Sequence, residues 1–150
     1  MYKVTSLAVV CLILAISTAP QTSKQHFNLG MSINEFATKF DLAHMGTSEA
    51  LNIDVATRLA MKGERSTVHL NVGGAKMAFL FDELTLRQVE VNAGNTFGND
   101  LQALTATLGE PNVSKLDLAI WDRSDGTRFT LTSREGTGVL LVAPTPLQSK

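Results

Sequence analysis

Cysteine is almost absent from this chain of 150 residues, in which Cys11 is the single example. It lies inside an apolar segment at residues 7–16, without the small residue before it and the polar chain after it that a lipid-attachment site needs. One cysteine excludes an intramolecular disulfide and a zinc site built from cysteine pairs. The fold must therefore depend on a packed core, which a chain of this length can form.

An excess of charge of either sign is also missing. The chain has 13 basic and 14 acidic residues, which gives a formal net charge of −1. A protein that holds nucleic acid or anionic lipid through its surface usually carries a clear basic patch. We therefore do not expect nucleic acid or a lipid surface as a partner.

The N-terminal apolar segment is too short to span a bilayer. Lys3 precedes the apolar residues 7–16, and the small and polar residues 17–21 follow them. This order is typical of a cleavable secretory signal, with a cut before Thr18 as the best match, whereas the alternative of an uncleaved anchor needs about 20 apolar residues. We assign residues 1–19 to this signal region and expect the protein to be cleaved there and exported, to a periplasm or out of the cell, without a stable membrane span.

Two amphipathic helices are predicted after this segment. Ser32 and Glu35 form the pattern of a capping box, which predicts a helix from there to about Leu42. A second helix is predicted with Asn99 as its N-cap and Gly109 at its end, where a following proline bars continuation.

Alternating apolar residues predict strands behind each helix, separated by glycine-containing turns. Because Leu86 and Val89 are out of phase with each other, we expect a β-bulge near Arg87. The segment 43–63 allows either a short helix or a long strand. The predicted strands cover residues 67–72, 77–81, 84–91, 116–120, 129–131 and 139–142.

The chain is thus predicted to be an α+β protein made of two tandem halves, each a helix followed by three antiparallel strands. Overlaying Gly30 on Gly98 aligns the apolar positions of the two helices, which indicates an internal repeat. The expected divisions are a signal peptide (1–19), a polar leader (20–29), a first half (30–95), a second half (96–144) and a tail (145–150).

Several short motifs resemble those of a known type of exported domain. They are Gly30-Met31-Ser32 at a helix start, Leu108-Gly109-Glu110-Pro111 at a helix end, Trp121-Asp122 at a strand end and Asp125-Gly126-Thr127 in a hairpin. They are similar to the helix-plus-antiparallel-sheet unit of the small outer-membrane lipoprotein of the β-barrel assembly machinery (SmpA/OmlA type) and of the tandem β-lactamase inhibitory protein family. The resemblance implies that fold and a role in binding other proteins. Those units usually carry the Gly-Met-Ser opening and the Gly-x-Pro ending on the same helix, whereas in this chain the first helix has the opening and the second has the ending. The chain is also expected to have neither the lipidated cysteine of the lipoprotein nor the disulfides of the inhibitors.

No catalytic, cofactor or metal signature is present. His26, His44 and His69 come without a nucleophile elbow of the Gly-x-Ser-x-Gly type. His44 and the scattered methionines include soft metal ligands, but zinc-ligand spacing is missing and methionine is ordinary core filling. The glycine pair 73–74 fits a hairpin turn better than a phosphate loop. We therefore expect a protein that is not an enzyme and has no cofactor and no metal.

Trp121, the only tryptophan, is the most informative candidate for binding. If Asp125 and Gly126 form a two-residue turn, Ile120 lies opposite Leu131 and points inward together with Leu118, while Trp121 lies opposite Thr130 and faces away from the core. Tryptophan and arginine are enriched at interface hot spots. The alternative is that the other half covers this face and that Trp121 belongs to the core, as the four consecutive apolar residues 139–142 also allow. The candidate binding residues are Trp121, Arg128, Thr130, Thr132 and Asp117.

The sequence thus favours an exported, non-enzymatic protein-binding domain that acts at the cell envelope or outside the cell, as an assembly factor or an inhibitor. The alternative is a protein that binds a small ligand or cell-wall fragment in a cleft between the two halves, and an exported hydrolase ranks behind both. A buried pocket lined by Asp54, His44 or His69 would favour the ligand or enzyme, and a shallow patch around Trp121 the protein partner.

Overall fold

The computed structural model describes residues 29–39, 55, 58, 59, 61–72 and 74–147. Within these residues the chain forms seven strands and two helices with described bounds, in an order of a helix and three strands followed by a helix and four strands. Residues 55, 58, 59 and 61, which belong to the segment predicted as a short helix or a long strand, are helical as well. The elements are α1 (Ile33–Lys39), β1 (Ser66–Val72), β2 (Ala75–Asp82), β3 (Thr85–Asn92), α2 (Phe97–Leu108), β4 (Val113–Lys115), β5 (Leu118–Asp122), β6 (Thr127–Arg134) and β7 (Thr137–Pro144).

All seven strands belong to one antiparallel sheet with the order β1-β2-β3-β7-β6-β5-β4. The sheet is continuous at its centre because β3 and β7 pair directly, with Val89 opposite Val142 and Val91 opposite Leu140. The α+β class predicted from the sequence is therefore confirmed.

The capping box at the start of α1 is present as predicted. The backbone N–H of Ser32 donates to Glu35 Oε2 at 2.8 Å, and the backbone N–H of Glu35 donates to Ser32 Oγ at 3.1 Å. The residues just before the helix also pair with the start of β3, since Gly30 donates to the Leu86 carbonyl and Leu86 donates to the Met31 carbonyl. The start of α1 is thus fixed to the sheet. The predicted extension to Leu42 lies outside the described residues.

The second helix begins earlier than the sequence predicted. Thr96, not Asn99, is the N-cap of α2, and its hydroxyl accepts a hydrogen bond from the Asn99 backbone N–H at 3.3 Å. The predicted N-cap was wrong because threonine caps a helix nearly as well as asparagine, and both stand close together here. The end was predicted correctly: Gly109 caps the helix with φ of 86° and donates its N–H to the Thr105 carbonyl.

The bulge expected in the third strand is confirmed. Leu80 lies opposite Gln88 and Phe81 lies opposite Leu86, so Arg87 is the extra residue of β3. The extra residue brings Leu86 and Val89 to the same face of the sheet, where both are buried. A bulge explains how a strand that breaks the alternation of side chains can still bury both of its apolar positions.

The core lies between one face of the sheet and the two helices. From α1, the Phe36 ring packs against Phe79 and Phe81 of β2 with ring centroids 4.8 and 5.0 Å apart. From α2, Leu104 is buried, and this helix packs on β6 and β7. The cross-strand pairing arranges twelve of the buried sheet residues in two rows that cross the sheet. One row is Val68, Phe79, Val89, Val142, Phe129 and Trp121, and the other is Leu70, Met77, Val91, Leu140, Leu131 and Ala119.

The strands after α2 depart from the prediction in phase and in number. Leu118 and Ile120 were expected to point inward, but Ala119 and Trp121 are the buried residues of β5. Leu116 lies in the turn between β4 and β5 and is 96% exposed. The short strand β4 was not predicted, because three exposed residues carry no apolar alternation.

Candidate functional site

The turn between β5 and β6 decides which side chains reach the surface. The N–H of Arg123 donates to the Thr127 carbonyl at 2.9 Å, and the N–H of Gly126 donates to the Arg123 carbonyl at 3.1 Å. Gly126 has φ of 83°, and Asp125 Oδ1 accepts from the Thr127 N–H at 2.9 Å. The loop therefore has three residues, 124–126, with a glycine in the left-handed region, and not the two residues that the sequence predicted.

This longer loop shifts the pairing of β5 with β6 by one residue. Trp121 lies opposite Phe129, and Ile120 lies opposite Thr130. The predicted pairing of Trp121 with Thr130 is wrong, because side chains alternate between the faces and a shift of one residue moves each of them to the other face. The shift buries Trp121 and brings Ile120 to the opposite face.

Trp121 is a core residue. Its side chain is 2% exposed, and its Nε1 donates a hydrogen bond of 2.9 Å to the carbonyl oxygen of Gly109 at the end of α2. The alternative that the sequence analysis left open, a tryptophan covered by the rest of the molecule, is the observed one. A partner cannot reach this ring in the folded protein.

The other four candidate residues lie in two places. Arg128, Thr130 and Thr132 are half-buried and share the face of the sheet that is turned away from the core. Asp117 is exposed in the turn between β4 and β5, where its carbonyl accepts from the Ser133 N–H at 3.1 Å. The structure thus keeps three of the candidates on one face and places Trp121 on the other.

We call the side of the sheet opposite to α1 and α2 the open face. Two rows of residues cross it on β5, β6 and β7. We call these six residues the open-face patch. The first row is Leu118, Thr132 and Val139, and the second is Ile120, Thr130 and Leu141.

The patch combines aliphatic side chains with threonine methyl and hydroxyl groups. Five of its six residues are half-buried, and Val139 is only 4% exposed. The Thr132 hydroxyl lies 3.5 Å from the Val139 carbonyl, at the limit of a hydrogen bond. The side chains of the patch therefore lie side by side across three neighbouring strands.

Ion pairs lie beside the patch. Arg128 binds Asp122 through two hydrogen bonds, from Nε to Oδ1 at 2.6 Å and from Nη2 to Oδ2 at 2.9 Å. The hydrogen bond from Arg128 holds the pKa of Asp122 below its ordinary value and raises the pKa of Arg128. A second pair joins Arg134 of β6 to Glu90 of β3 at 3.4 Å, across β7. The aliphatic centre thus has a charged rim.

The charge buried between α2 and the sheet belongs to Asp100. Asn95 Nδ2 donates to Asp100 Oδ1 at 3.0 Å. Burial raises the pKa of the Asp100 carboxyl, and this hydrogen bond lowers it by a smaller amount, so the pKa is raised. Gly138 of β7 faces this carboxylate so closely that a Cβ at position 138 would overlap Asp100 Oδ2. This contact fastens the first turns of α2 to β7 and is structural.

The sequence motifs considered for other chemistry lie elsewhere. His69 is exposed on β1, while His26, His44 and Asp54 fall outside the described residues. In the part of the chain that the structure describes, no three His, Cys, Asp or Glu side chains lie close enough together to hold a metal ion. None of the helices described there has the length and apolar character needed to cross a membrane.

Sequence reasoning missed that Leu118, Ile120 and Leu141 are half-buried residues of the open face. Their apolar character alone assigned the β5 pair to the core. A three-residue loop with glycine in its last position was the signal that would have corrected the assignment, since Ser124-Asp125-Gly126 fits a type I turn followed by a left-handed glycine as well as Asp125-Gly126 fits a two-residue turn.

The chain matches no protein-family model, no curated protein and no solved structure. What the molecule does must therefore be inferred from the geometry of the open face.

Proposed function

We propose that this chain is an exported, non-enzymatic domain that binds a partner protein on the open-face patch. One observation carries the proposal: two adjacent rows of aliphatic and threonine side chains, five of the six only half-buried, lie on the sheet face turned away from α1 and α2. Contiguous apolar surface with a polar rim is characteristic of protein-interaction sites.

The shape of the patch favours a protein over a small molecule. Small-ligand sites are concave and enclose most of their ligand. The open-face patch extends over three neighbouring strands, and its side chains stand side by side on a sheet instead of lining an enclosed cavity between elements. A partner with an apolar surface would displace water from Ile120 and Leu141, while the threonine hydroxyls offer hydrogen bonds.

The charged rim supports orientation of the partner rather than affinity. The pair of Arg128 and Asp122 is already satisfied internally by two short hydrogen bonds. Exposed ion pairs contribute about 0–1 kcal/mol, so a partner gains little from replacing one. Rim charges act mainly on the rate and specificity of encounter.

We further propose that the protein acts at the cell envelope or outside the cell, as an assembly factor or as an enzyme inhibitor. The signal-like residues 1–19 and the resemblance to exported helix-plus-sheet units support this. In the same proposal, the halves 30–95 and 96–144 are two related units that join through β3 and β7. N-terminal sequencing of the secreted protein would test export, with Thr18 expected as the first residue.

The ligand-binding alternative has less support. It needs a cleft between the two halves, and the sheet is continuous at that boundary because β3 pairs with β7. His69, one of the residues named for such a pocket, is exposed on β1. No observation on the described residues favours this alternative.

Photo-crosslinking with envelope extract would test the proposed surface. Ile120→Arg places a charge in the centre of the patch, and Ala106→Arg adds the same charge at an exposed position of α2, on the other side of the sheet. We expect Ile120→Arg to lower the recovery of the crosslinked partner by about tenfold or more, since a buried unpaired charge costs several kcal/mol, and Ala106→Arg to leave it unchanged. Equal recovery by the two variants, with both folded, would reject the patch as the binding site.

A further inference from the structure

The starts of α1 and α2 are joined to the sheet by the same kind of hydrogen bond. In both, the residue before the N-cap accepts a backbone N–H from the second residue of a strand. At α1, the N–H of Leu86 in β3 donates to the Met31 carbonyl at 2.8 Å. At α2, the N–H of Gly138 in β7 donates to the Asn95 carbonyl at 2.8 Å. The two helix starts can therefore be compared position by position.

The two starts differ in the residue four positions after the N-cap. In α1 this residue is Phe36, whose ring packs in the core. In α2 it is Asp100, which is 1% exposed and whose carboxylate lies against Gly138. A carboxyl group thus occupies the position in α2 that corresponds to an apolar core position in α1.

A charge on Asp100 has little compensation in its described surroundings. Asp100 is the one ionisable residue of α2, and a single hydrogen bond among the described residues reaches its carboxylate, from Asn95. The buried residues of β3 and β5 are apolar, and residues 93–96 before the helix are not ionisable. Burial of a charge with so few partners is unfavourable. The core face of β6 and β7, on which α2 packs, is formed by Phe129, Leu131, Ser133, Gly138, Leu140 and Val142, none of them ionisable.

The first turn of α2 resists opening only weakly. It contains Gly98 and Asn99, which form helix less readily than alanine does. The capping hydrogen bond from the Asn99 N–H to the Thr96 hydroxyl is long, at 3.3 Å. This turn can therefore open locally at a lower cost in free energy than the strands beneath it.

We propose that residues 96–100 form a pH-sensitive latch, which is closed on β7 when Asp100 is protonated and opens when Asp100 is ionised. Opening lets water hydrate the carboxylate, breaks the hydrogen bond between Gly138 and Asn95, and uncovers the partly buried Phe97. Because burial raises the pKa of Asp100 in the closed form, the latch opens as the pH rises from the ordinary value of 3.8 through the raised pKa. The inference does not depend on the proposed function.

Amide hydrogen exchange of the whole protein, followed by NMR, tests the latch. The N–H of Gly138 is protected by its hydrogen bond to Asn95 while the latch is closed. Asp100→Asn keeps the shape of the side chain and cannot titrate, so the ratio of the Gly138 exchange rates in the unmodified protein and in this variant reports on the ionisation at each pH. Repeating the measurement in urea below the unfolding transition separates local opening, which exposes little surface, from global unfolding.

We expect the ratio of exchange rates to rise by about threefold or more as the pH is raised from 3.8 through the raised pKa, and to be the same with and without urea. A ratio that does not change with pH overturns the proposal. Exchange of Gly138 with the urea dependence of global unfolding overturns it too, because the charge would then act on the whole fold. If Asp100→Asn does not fold, the pH and urea dependence of the Gly138 protection in the unmodified protein decides between the same outcomes.

Discussion

The indole nitrogen of Trp121 donates a hydrogen bond of 2.9 Å to the carbonyl oxygen of Gly109, and so joins β5 to the end of α2. The last carbonyls of a helix lack partners within the helix and need one from elsewhere. Here the same side chain supplies that partner and fills the end of the core. Trp121 thus holds the helix on the sheet, and its role is in stability.

Substitution of Trp121 should lower stability in two steps. Trp121→Phe retains a ring but removes the hydrogen bond to the Gly109 carbonyl, and we expect a loss of about 1–3 kcal/mol in the free energy of unfolding. Trp121→Ala also leaves a cavity, and we expect a loss of about 3–5 kcal/mol. Urea unfolding followed by circular dichroism measures both values, with Leu116→Ala in the exposed β4–β5 turn as a control that stays near the unmodified protein. Equal values for Trp121→Phe and the control would show that the hydrogen bond contributes nothing.

Gly138→Ala should destabilise the protein through Asp100 alone. The backbone of Gly138 does not have positive φ, so alanine is excluded only by the overlap of its Cβ with the Asp100 carboxylate. We expect a loss of about 1–3 kcal/mol, as for other overpacked sites. In an Asp100→Ala background the same substitution should cost less than half as much, which a double-mutant cycle by urea unfolding measures. Additive losses in the cycle would place the cost of Gly138→Ala elsewhere.

The carboxyl of Asp100 should make the protein less stable as the pH rises. Burial raises its pKa above the ordinary value of 3.8, so the folded protein holds the proton more tightly than the unfolded chain does. The resulting stability is present in full below the ordinary value and is lost as the pH rises through the raised pKa. Compared with Asp100→Asn, which cannot titrate, the unmodified protein should lose free energy of unfolding as the pH rises from the ordinary value of 3.8 through the raised pKa. Parallel pH profiles for the two proteins would contradict this.

Asp122 should have the opposite effect on the pH dependence of stability. Arg128 holds the pKa of Asp122 below 3.8, so this carboxyl contributes stability above that value, and the contribution is lost as the pH falls through the lowered pKa. In Arg128→Gln we expect the pKa of Asp122 to rise towards its ordinary value. A titration of the Asp122 side-chain carboxyl followed by NMR measures the change directly. An unchanged titration would mean that the ion pair does not persist in solution.

Local signals in the sequence predicted much of the structure between residues 30 and 95. The capping box of Ser32 and Glu35 involves residues three apart, so its geometry is complete within one turn of helix. The bulge at Arg87 could be predicted because the out-of-phase Leu86 and Val89 had to share the buried face. Where a signal acts over a few residues, and no competing arrangement satisfies it, the sequence is sufficient.

The candidate site was predicted only in part. Arg128, Thr130 and Thr132 share the open face, but Trp121 and the aliphatic residues of β5 had been assigned to the wrong sides. Asp125 and Gly126 are compatible with loops of two and of three residues, and these loops differ by one residue in register. Local preferences therefore did not decide which side chains of β5 face the core.

By itself the sequence determined the class of fold, the start of α1, the end of α2, the bulge at Arg87 and the dependence on a core without disulfides. Only the tertiary structure decided that Trp121 is buried and that Ile120 is at the surface. The physical reason is that the indole finds both a place in the core and the Gly109 carbonyl when the loop has three residues, while the alternation of side chains then turns Leu118 and Ile120 outward.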